Sequence, residues 1–294
     1  MLFEDEEEGF KVLELDGTVF PTPLFKTEAE LQQRFSYVKN LPYKAGDVLL
    51  CSYPKTGTHW TMNLLHYLMF DGDLDDTMSY PPVVIDFFDI EGEVQREGRR
   101  ILMSHFPPKR LPIEHFANGG KTILVFRNPK DTVVSMFHMQ KQKVFGDFKL
   151  SWEKLLKYWL QGKFPLGSYF EYYNSWQEEI NRKPDLDILI VQYEDLKRNS
   201  LQEVRRIQKY LCLNHSDERL EAVLKKCSLE TLKADVDSGK VKTRLIDEDG
   251  KSVLYRKGII GDWKNQFTVA QNEMFESIVN EKLHNSIFNY KSWN

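Results

Sequence analysis

Cysteine is scarce in this chain. Cys51, Cys212 and Cys227 are the only three in 294 residues, they form no CxxC pair, and their number is odd. Neither a disulfide framework nor a thiolate zinc site is expected, and a reducing, cytoplasmic setting fits. No apolar run approaches the ~20 residues that a membrane helix needs. The start, Glu4-Asp5-Glu6-Glu7-Glu8, is the opposite of a basic signal-peptide beginning. Asn214-His215-Ser216 matches the glycosylation pattern, but nothing else points to secretion. An excess of positive charge is also missing. A formal net charge of -4 does not suit a protein that coats nucleic acid, so any anion must be held by local basic groups. The Walker A pattern, GxxxxGK followed by Ser or Thr, is absent. The seven histidines show no metal spacing such as HExxH, and no paired-carboxylate signature appears, so no metal site is expected.

The composition that remains, 41% hydrophobic and 29% charged, is that of a globular protein with a substantial core. Short apolar runs recur at 47–52, 100–105, 121–126 and 187–192 and read as buried strands. Helical stretches alternate with them: Thr27 to Val38, with Thr27 and Glu30 as a capping box; 61–70; a run from about 131 to Lys141; 151 to Asn181 with a break at Pro165-Leu166-Gly167; a series to about Leu232; and Thr268 to Leu283. Residues 1–10 read as a disordered acidic tail, and 71–100 as mostly loop. With no repeat, low-complexity tract or linker, the expectation is one α/β domain over residues 1–294, a central parallel sheet flanked by helices. Ligands of such sheets sit at the carboxyl ends of the strands, here the turns after 52, 105, 126 and 192.

The first of these turns organises the rest. Tyr53-Pro54-Lys55-Thr56-Gly57-Thr58-His59-Trp60 joins a strand to a helix. Gly57 lets the backbone approach a ligand, and the open N–H groups of the helix's first turn favour negative charge. Lys55 adds a movable cation, Thr56 and Thr58 add hydroxyls, and Trp60 offers an aromatic face. Taken alone, the stretch reads equally as a Pro/Gly turn that ends a strand.

Arg127-Asn128-Pro129-Lys130-Asp131, with Ser135 one turn further, is a second strand-to-helix turn rich in donors. Arg127 presents the planar fork suited to phosphate. Its plain alternative is a solvated cap with Lys130 and Asp131 on the surface. Arg256-Lys257-Gly258 is a third basic cluster, which by itself reads as a solvated turn. Together the three imply a ligand with phosphates at two ends and an aromatic base. His105, at the end of a strand, is a general-base candidate, although a lone histidine is more often structural. Tyr193-Glu194-Asp195 caps a helix or, through Tyr193, touches the ligand. Phe87, Phe88, Phe137, Tyr169, Phe170 and Tyr255 form either an aromatic pocket or part of the core.

These stretches resemble the cytosolic sulfotransferases that use 3′-phosphoadenosine-5′-phosphosulfate (PAPS). The Tyr53–Trp60 stretch is similar to that family's YPKSGTTW. Arg127 to Ser135 is similar to its RNxKDxxxS, and Arg256-Lys257-Gly258-Ile259-Ile260-Gly261-Asp262-Trp263-Lys264 to its RKGxxGDWK. Lys264, Thr268, Val269 and Glu273 fit its KxxxTVxxxE dimer segment. The resemblance implies a P-loop-like loop in which Lys55, Thr56, Gly57, Thr58 and His59 hold the 5′-phosphosulfate and Trp60 stacks on adenine. It implies that Arg127, Ser135, Arg256, Lys257 and Gly258 hold the 3′-phosphate, with Tyr193, Cys227 and Leu229 around the adenine. His105 takes the acceptor's proton and Lys55 stabilises the transition state. The implied protein is a cytoplasmic homodimer acting on a small phenol, alcohol or amine, with no nucleic acid or membrane partner.

The family usually has Lys where Met103 stands, Thr where His59 stands, and often Thr and Phe where Cys227 and Leu229 stand. A P-loop kinase would need the missing Walker A loop and a metal-holding carboxylate. A protein that binds PAPS without turnover, or one that sulfates an alcohol and then eliminates sulfate, shares the motifs.

Overall fold

The computed structural model describes residues 2–22, 24–70, 83–87, 98–140, 149–241 and 254–288. Five parallel strands form the central sheet in the order β5-β6-β4-β7-β8: β4 (Val48–Ser52), β5 (Val83–Val84), β6 (Ile101–Ser104), β7 (Lys121–Phe126) and β8 (Ile188–Gln192). The four expected strands are present. The fifth, β5, lies in the stretch expected as loop.

Both faces of the sheet are covered, and the strand sequences show why. In β4, Leu49 and Cys51 enter one apolar cluster while Val48 and Leu50 enter the other. β7 divides in the same way, with Leu124 and Phe126 on one face and Ile123 and Val125 on the other. This is period-2 alternation with apolar residues on both faces, the signature of a sheet buried on both sides. Aromatic residues of the helix Tyr169–Arg182 pack on the first face, and the helices Thr58–Met69, Ser200–Tyr210 and Asp217–Lys226 pack on the second.

The acidic start is ordered, contrary to expectation. β1 (Leu2–Asp5), β2 (Phe10–Leu15) and β3 (Thr18–Pro21) form a separate antiparallel sheet. Lys154 draws in the carboxylates of Asp5, Glu7 and Glu8 at 3.3, 3.3 and 3.0 Å, and Tyr158 donates to Asp5 at 2.6 Å. Phe10 is fully buried. The charges that suggested a solvated tail therefore dock a hairpin onto the helix Trp152–Leu160.

Helix starts follow local chemistry. Ser151, Ser168, Ser216, Ser228 and Thr268 each accept a hydrogen bond from the third helical N–H. Thr27 does so too, but Glu30 reaches back to the Lys26 N–H at 2.7 Å rather than to that of Thr27. The reciprocal capping box is at Thr268 and Gln271 instead. Among the described residues no helix is long and apolar enough to cross a membrane. The expected loop at 71–100 and the end of the run to Lys141 fall largely outside the described residues.

The strand order sets the ligand position. After β4 the chain moves toward β5 and β6; after β7 it moves the other way, toward β8. A crevice opens where adjacent connections diverge in this manner, at the carboxyl ends of β4 and β7.

Candidate functional site

The turn after β4 holds two residues in the left-handed region, Lys55 at φ 67° and Gly57 at φ 104°. Glycine is required at 57 for a second reason: a Cβ there would lie 2.6 Å from Cδ2 of Tyr193. Gly57 caps the helix Thr58–Met69 without a side-chain hydrogen bond, so the first-turn N–H groups stay open. The two threonines shape the loop rather than offering free hydroxyls. Thr56 Oγ1 donates to the Tyr53 carbonyl at 2.7 Å, and Thr58 Oγ1 shares a hydrogen bond with Ser52 Oγ at 2.6 Å. Lys55 leaves its ammonium without an ion-pair partner among the described residues. Burial, then Arg127 and Arg256, lower its pKa to about 8.

Arg127, at the end of β7, ties the turns together. It donates to the Lys55 carbonyl at 3.2 Å and the Ile259 carbonyl at 3.3 Å, and its guanidinium lies 4.3 Å from the centre of the Tyr193 ring. Its Nε is buried with no partner. The neighbouring Asp131 accepts the N–H groups of Gly261 (2.7 Å) and Trp263 (3.0 Å), fixing the third basic loop. Lys130 is buried, not solvated. It donates to Asn272 at 3.1 Å, pairs with Glu276 and lies 3.6 Å over the Trp263 ring. Arg256 and Lys257 are both held by the buried Asp262, at 2.5 and 2.9 Å. Burial works upward on Asp262, but hydrogen bonds from Lys257, Arg256 and Asn265 hold its carboxyl below the usual range. Glu194 accepts the Asn128 N–H at 3.0 Å, and burial pushes it up to about 7. Ser135 is half-buried further along the helix Pro129–Met139. No hydrogen bond among the described residues ties it to Arg127 or Arg256.

The aromatic side of the site draws on four segments. Trp60 and Tyr193 meet edge to face at 5.6 Å, and Trp60 Nε1 donates to the Cys227 carbonyl at 3.0 Å. Cys227 is buried. Leu229 packs against Gly258, where a Cβ would lie 3.0 Å from its Cδ2. Asn63 donates to the Tyr255 hydroxyl at 3.0 Å and so anchors the loop that carries Arg256.

His105 follows β6 directly and faces the end of β4. Its Nδ1 lies 2.8 Å from the Ser52 carbonyl. A carbonyl only accepts, so Nδ1 carries the proton and Nε2 is left with its lone pair. Burial lowers the His105 pKa to about 4; Ser52 works against this and Lys55 adds to it. His59 falls to about 3 through burial, Lys55 and His105. Lys55, His59 and His105 therefore share one electrostatic neighbourhood. Beside them, Asp86 accepts from Ser104 Oγ at 2.6 Å and from the His105 N–H at 2.5 Å. Phe87 forms an apolar wall, its ring 6.3 Å from the His105 ring and backed at 6.1 Å by the core residue Phe20.

Of the expected aromatic pocket, Phe87 alone among the described members lies against His105. Tyr169 and Phe170 are core, Phe137 packs on Trp152 at 5.5 Å, Tyr255 faces Asn63, and Phe88 lies outside the described residues. Met103 is also core, 0% exposed in the cluster with Leu50, Met62 and Val84. Asn63, Asp86, Ser104 and Asp262 went unnoticed in the sequence. Only the position of Ser104 and Asp262, beside His105 and within a matched motif, gave any hint of them.

The sulfotransferase domain family matches residues 45–287. Human sulfotransferase 2A1 is 30% identical, with 91% of this chain and 93% of that protein covered. Human sulfotransferase 1C2 is 28% identical over 98% of both. Among solved structures, mouse sulfotransferase SULT7A1 complexed with PAP has a TM-score of 0.78 at 27% identity, covering 94% of this chain and 96% of that one. Retinol dehydratase with androsterone and PAP has a TM-score of 0.77 at 18% identity, covering 96% and 92%, a likeness of fold.

Proposed function

The chain belongs to the sulfotransferase domain family, and on that premise we propose that it moves a sulfuryl group from PAPS to the hydroxyl, or amine, of a small apolar acceptor. The observation that carries this reading is Arg127, whose hydrogen bonds to the Lys55 and Ile259 carbonyls gather three basic turns into one cluster. The cluster fits a nucleotide with two anionic ends. The cradle at Gly57 has no room for a Cβ, the helix N–H groups are open, and the buried Arg127 Nε has no protein partner.

PAPS supplies the sulfuryl group, and its loss leaves an added negative charge on the 5′-phosphate. Lys55, His59 and the N–H groups of residues 56–59 hold that end. Arg127, Ser135, Arg256, Lys257 and Gly258 hold the 3′-phosphate, and Trp60, Tyr193, Cys227 and Leu229 enclose the adenine. His105 Nε2 accepts the acceptor's proton as the oxygen–sulfur bond forms. Lys55 and the helix dipole stabilise the charge that develops on the leaving oxygen. The hydroxyls of Thr56 and Thr58 act by shaping the loop, since both are already engaged.

The apolar wall of Phe87 beside His105 favours a phenol or an apolar alcohol. Retinol dehydratase, a neighbour in fold, is seen with androsterone and, in another structure, with retinol. The same reading makes this protein a cytoplasmic homodimer through Lys264, Thr268, Val269 and Glu273. All four are exposed, Val269 at 76%.

The test is incubation with sulfur-labelled PAPS and a panel of phenols, steroids, alcohols and amines. Label transferred to at least one acceptor, with matching release of PAP, is expected. PAP binding with no transfer to any class would instead fit a non-catalytic binder.

A further inference from the structure

Asp86 is fully buried and sits just beyond β5, a two-residue strand paired with β6. The Ile85 N–H donates to the Met103 carbonyl at 3.0 Å, which carries the chain alongside the end of β6. Both oxygens of Asp86 are then engaged: Oδ1 accepts from Ser104 Oγ and Oδ2 from the main-chain N–H of His105. Ser104 Oγ in turn accepts the Phe106 N–H at 3.0 Å. Residues 104–106 thus close onto one carboxylate. No salt bridge among the described residues engages Asp86, and burial pushes it up to about 7 against the hydrogen bonds from Ser104 and His105 and the charge of Arg34. A buried charge without a paired cation is costly, and an apolar or amide side chain would close a strand end at less expense.

The arrangement fixes His105 at two points. Asp86 holds its main chain, and the Ser52 carbonyl holds Nδ1 of its ring. With both ends set, Nε2 has one direction left. The segment that carries Asp86 also carries Phe87, the wall beside the His105 ring.

We propose that Asp86 is a positioning residue for the transfer step, holding His105 so that Nε2 meets the acceptor's proton, and that Ser104 extends this hold to the Phe106 N–H. This rests on the reading of His105 as general base. Partners that orient a metal-bound imidazole are worth ~10–100-fold in metal affinity or activity, and an effect of the same order is expected for a general-base imidazole.

The test compares kcat/KM for an aliphatic alcohol and for an acidic nitrophenol, with PAPS as donor. Asp86→Asn keeps the shape but leaves one of the two N–H or O–H donors without a carboxylate oxygen. It is expected to slow alcohol transfer by ~10–100-fold, to slow nitrophenol transfer far less, and to leave calorimetric PAP affinity unchanged. Combined with His105→Ala, it should add nothing to the loss of His105→Ala alone. Ser104→Ala should show the same acceptor dependence at smaller size, and it carries the test if Asp86→Asn fails to fold.

An equal loss with both acceptors, or a full additive loss on top of His105→Ala, overturns the proposal and makes Asp86 a strand-end support. If His105→Ala depends on acceptor acidity while Asp86→Asn and Ser104→Ala do not, the proposal alone falls. If His105→Ala itself slows both acceptors equally, the base assignment falls and the proposal falls with it.

Discussion

On the side of the site proposed for the nucleotide, turns are bound to turns through main-chain groups. Arg127 grips two carbonyls, Asp131 grips the N–H groups of Gly261 and Trp263, and Glu194 grips the Asn128 N–H. On the acceptor side, a single histidine is held by Asp86 and Ser52 beside apolar rings. The first arrangement needs particular residues at particular positions, because a carboxylate or a guanidinium has the several acceptors or donors that bridging two loop backbones requires. The second needs one fixed imidazole and otherwise volume. A sequence therefore records the first as motifs and the second hardly at all.

The comparison breaks first at His105. His105→Ala should cost ~10²–10⁴-fold for an aliphatic alcohol, the usual scale of general-base loss, and much less for a nitrophenol that is already ionised. Lys55→Ala should cost ~10²–10³-fold with both acceptors alike, because Lys55 acts on the leaving charge. If the two variants show the same dependence on acceptor, the halves are not separable as described.

Met103→Lys sharpens the contrast. The family resemblance implies lysine at this position, but here the side chain is buried among Leu50, Met62 and Val84. A charge there would be unpaired, so stability should fall by at least the ~1–3 kcal/mol of an uncharged polar group, read by denaturant unfolding. An unchanged midpoint with faster turnover would place Met103 at the acceptor.

The pH profile separates the halves again. His105 must be neutral to accept a proton, and burial keeps it so down to about pH 4. Lys55 must be charged, and in the ligand-free protein it is so up to about pH 8. In Asp86→Asn, which removes the carboxylate that titrates near 7, the profile of kcat/KM for PAPS should fall on the acid side below the ordinary histidine range and on the alkaline side near 8, since this parameter reports the free enzyme. An acid limb at or above the free histidine value of about 6.5 would count against a buried neutral base.

The smallest expected effect is at the exposed Val269. Val269→Glu should shift light scattering from twice 34.7 kDa toward one chain, with activity per site little changed. A monomer in the unmutated protein at micromolar concentration contradicts the dimer.

Four of the five sheet strands were legible because each is a short apolar run bounded by turn residues, and the basic turns because their motifs are contiguous; β5, only two residues long, was not. The hairpin at Leu2–Leu15 was misread: its acidic residues find Lys154, some 150 positions away, which no local pattern records. Asp86 was invisible for the same reason. It sits in a stretch without periodicity, and its partners are Ser104 and His105, joined to it through a two-residue strand. The engagement of the Thr56 hydroxyl was not legible, because a hydroxyl next to a glycine turn serves the backbone as readily as a ligand, and here it donates to the Tyr53 carbonyl.

The most direct measurement is calorimetric titration of the protein with PAP and with ADP, in the unmutated form and as Arg127→Ala. The gathered Arg127, Arg256 and Lys257 cluster predicts that PAP binds more tightly by several kcal/mol, as the loss of two charge-assisted contacts at ~1.5–3 kcal/mol each would give, and that Arg127→Ala erases most of the difference. Equal affinities for the two nucleotides would contradict a site built for a 3′-phosphate.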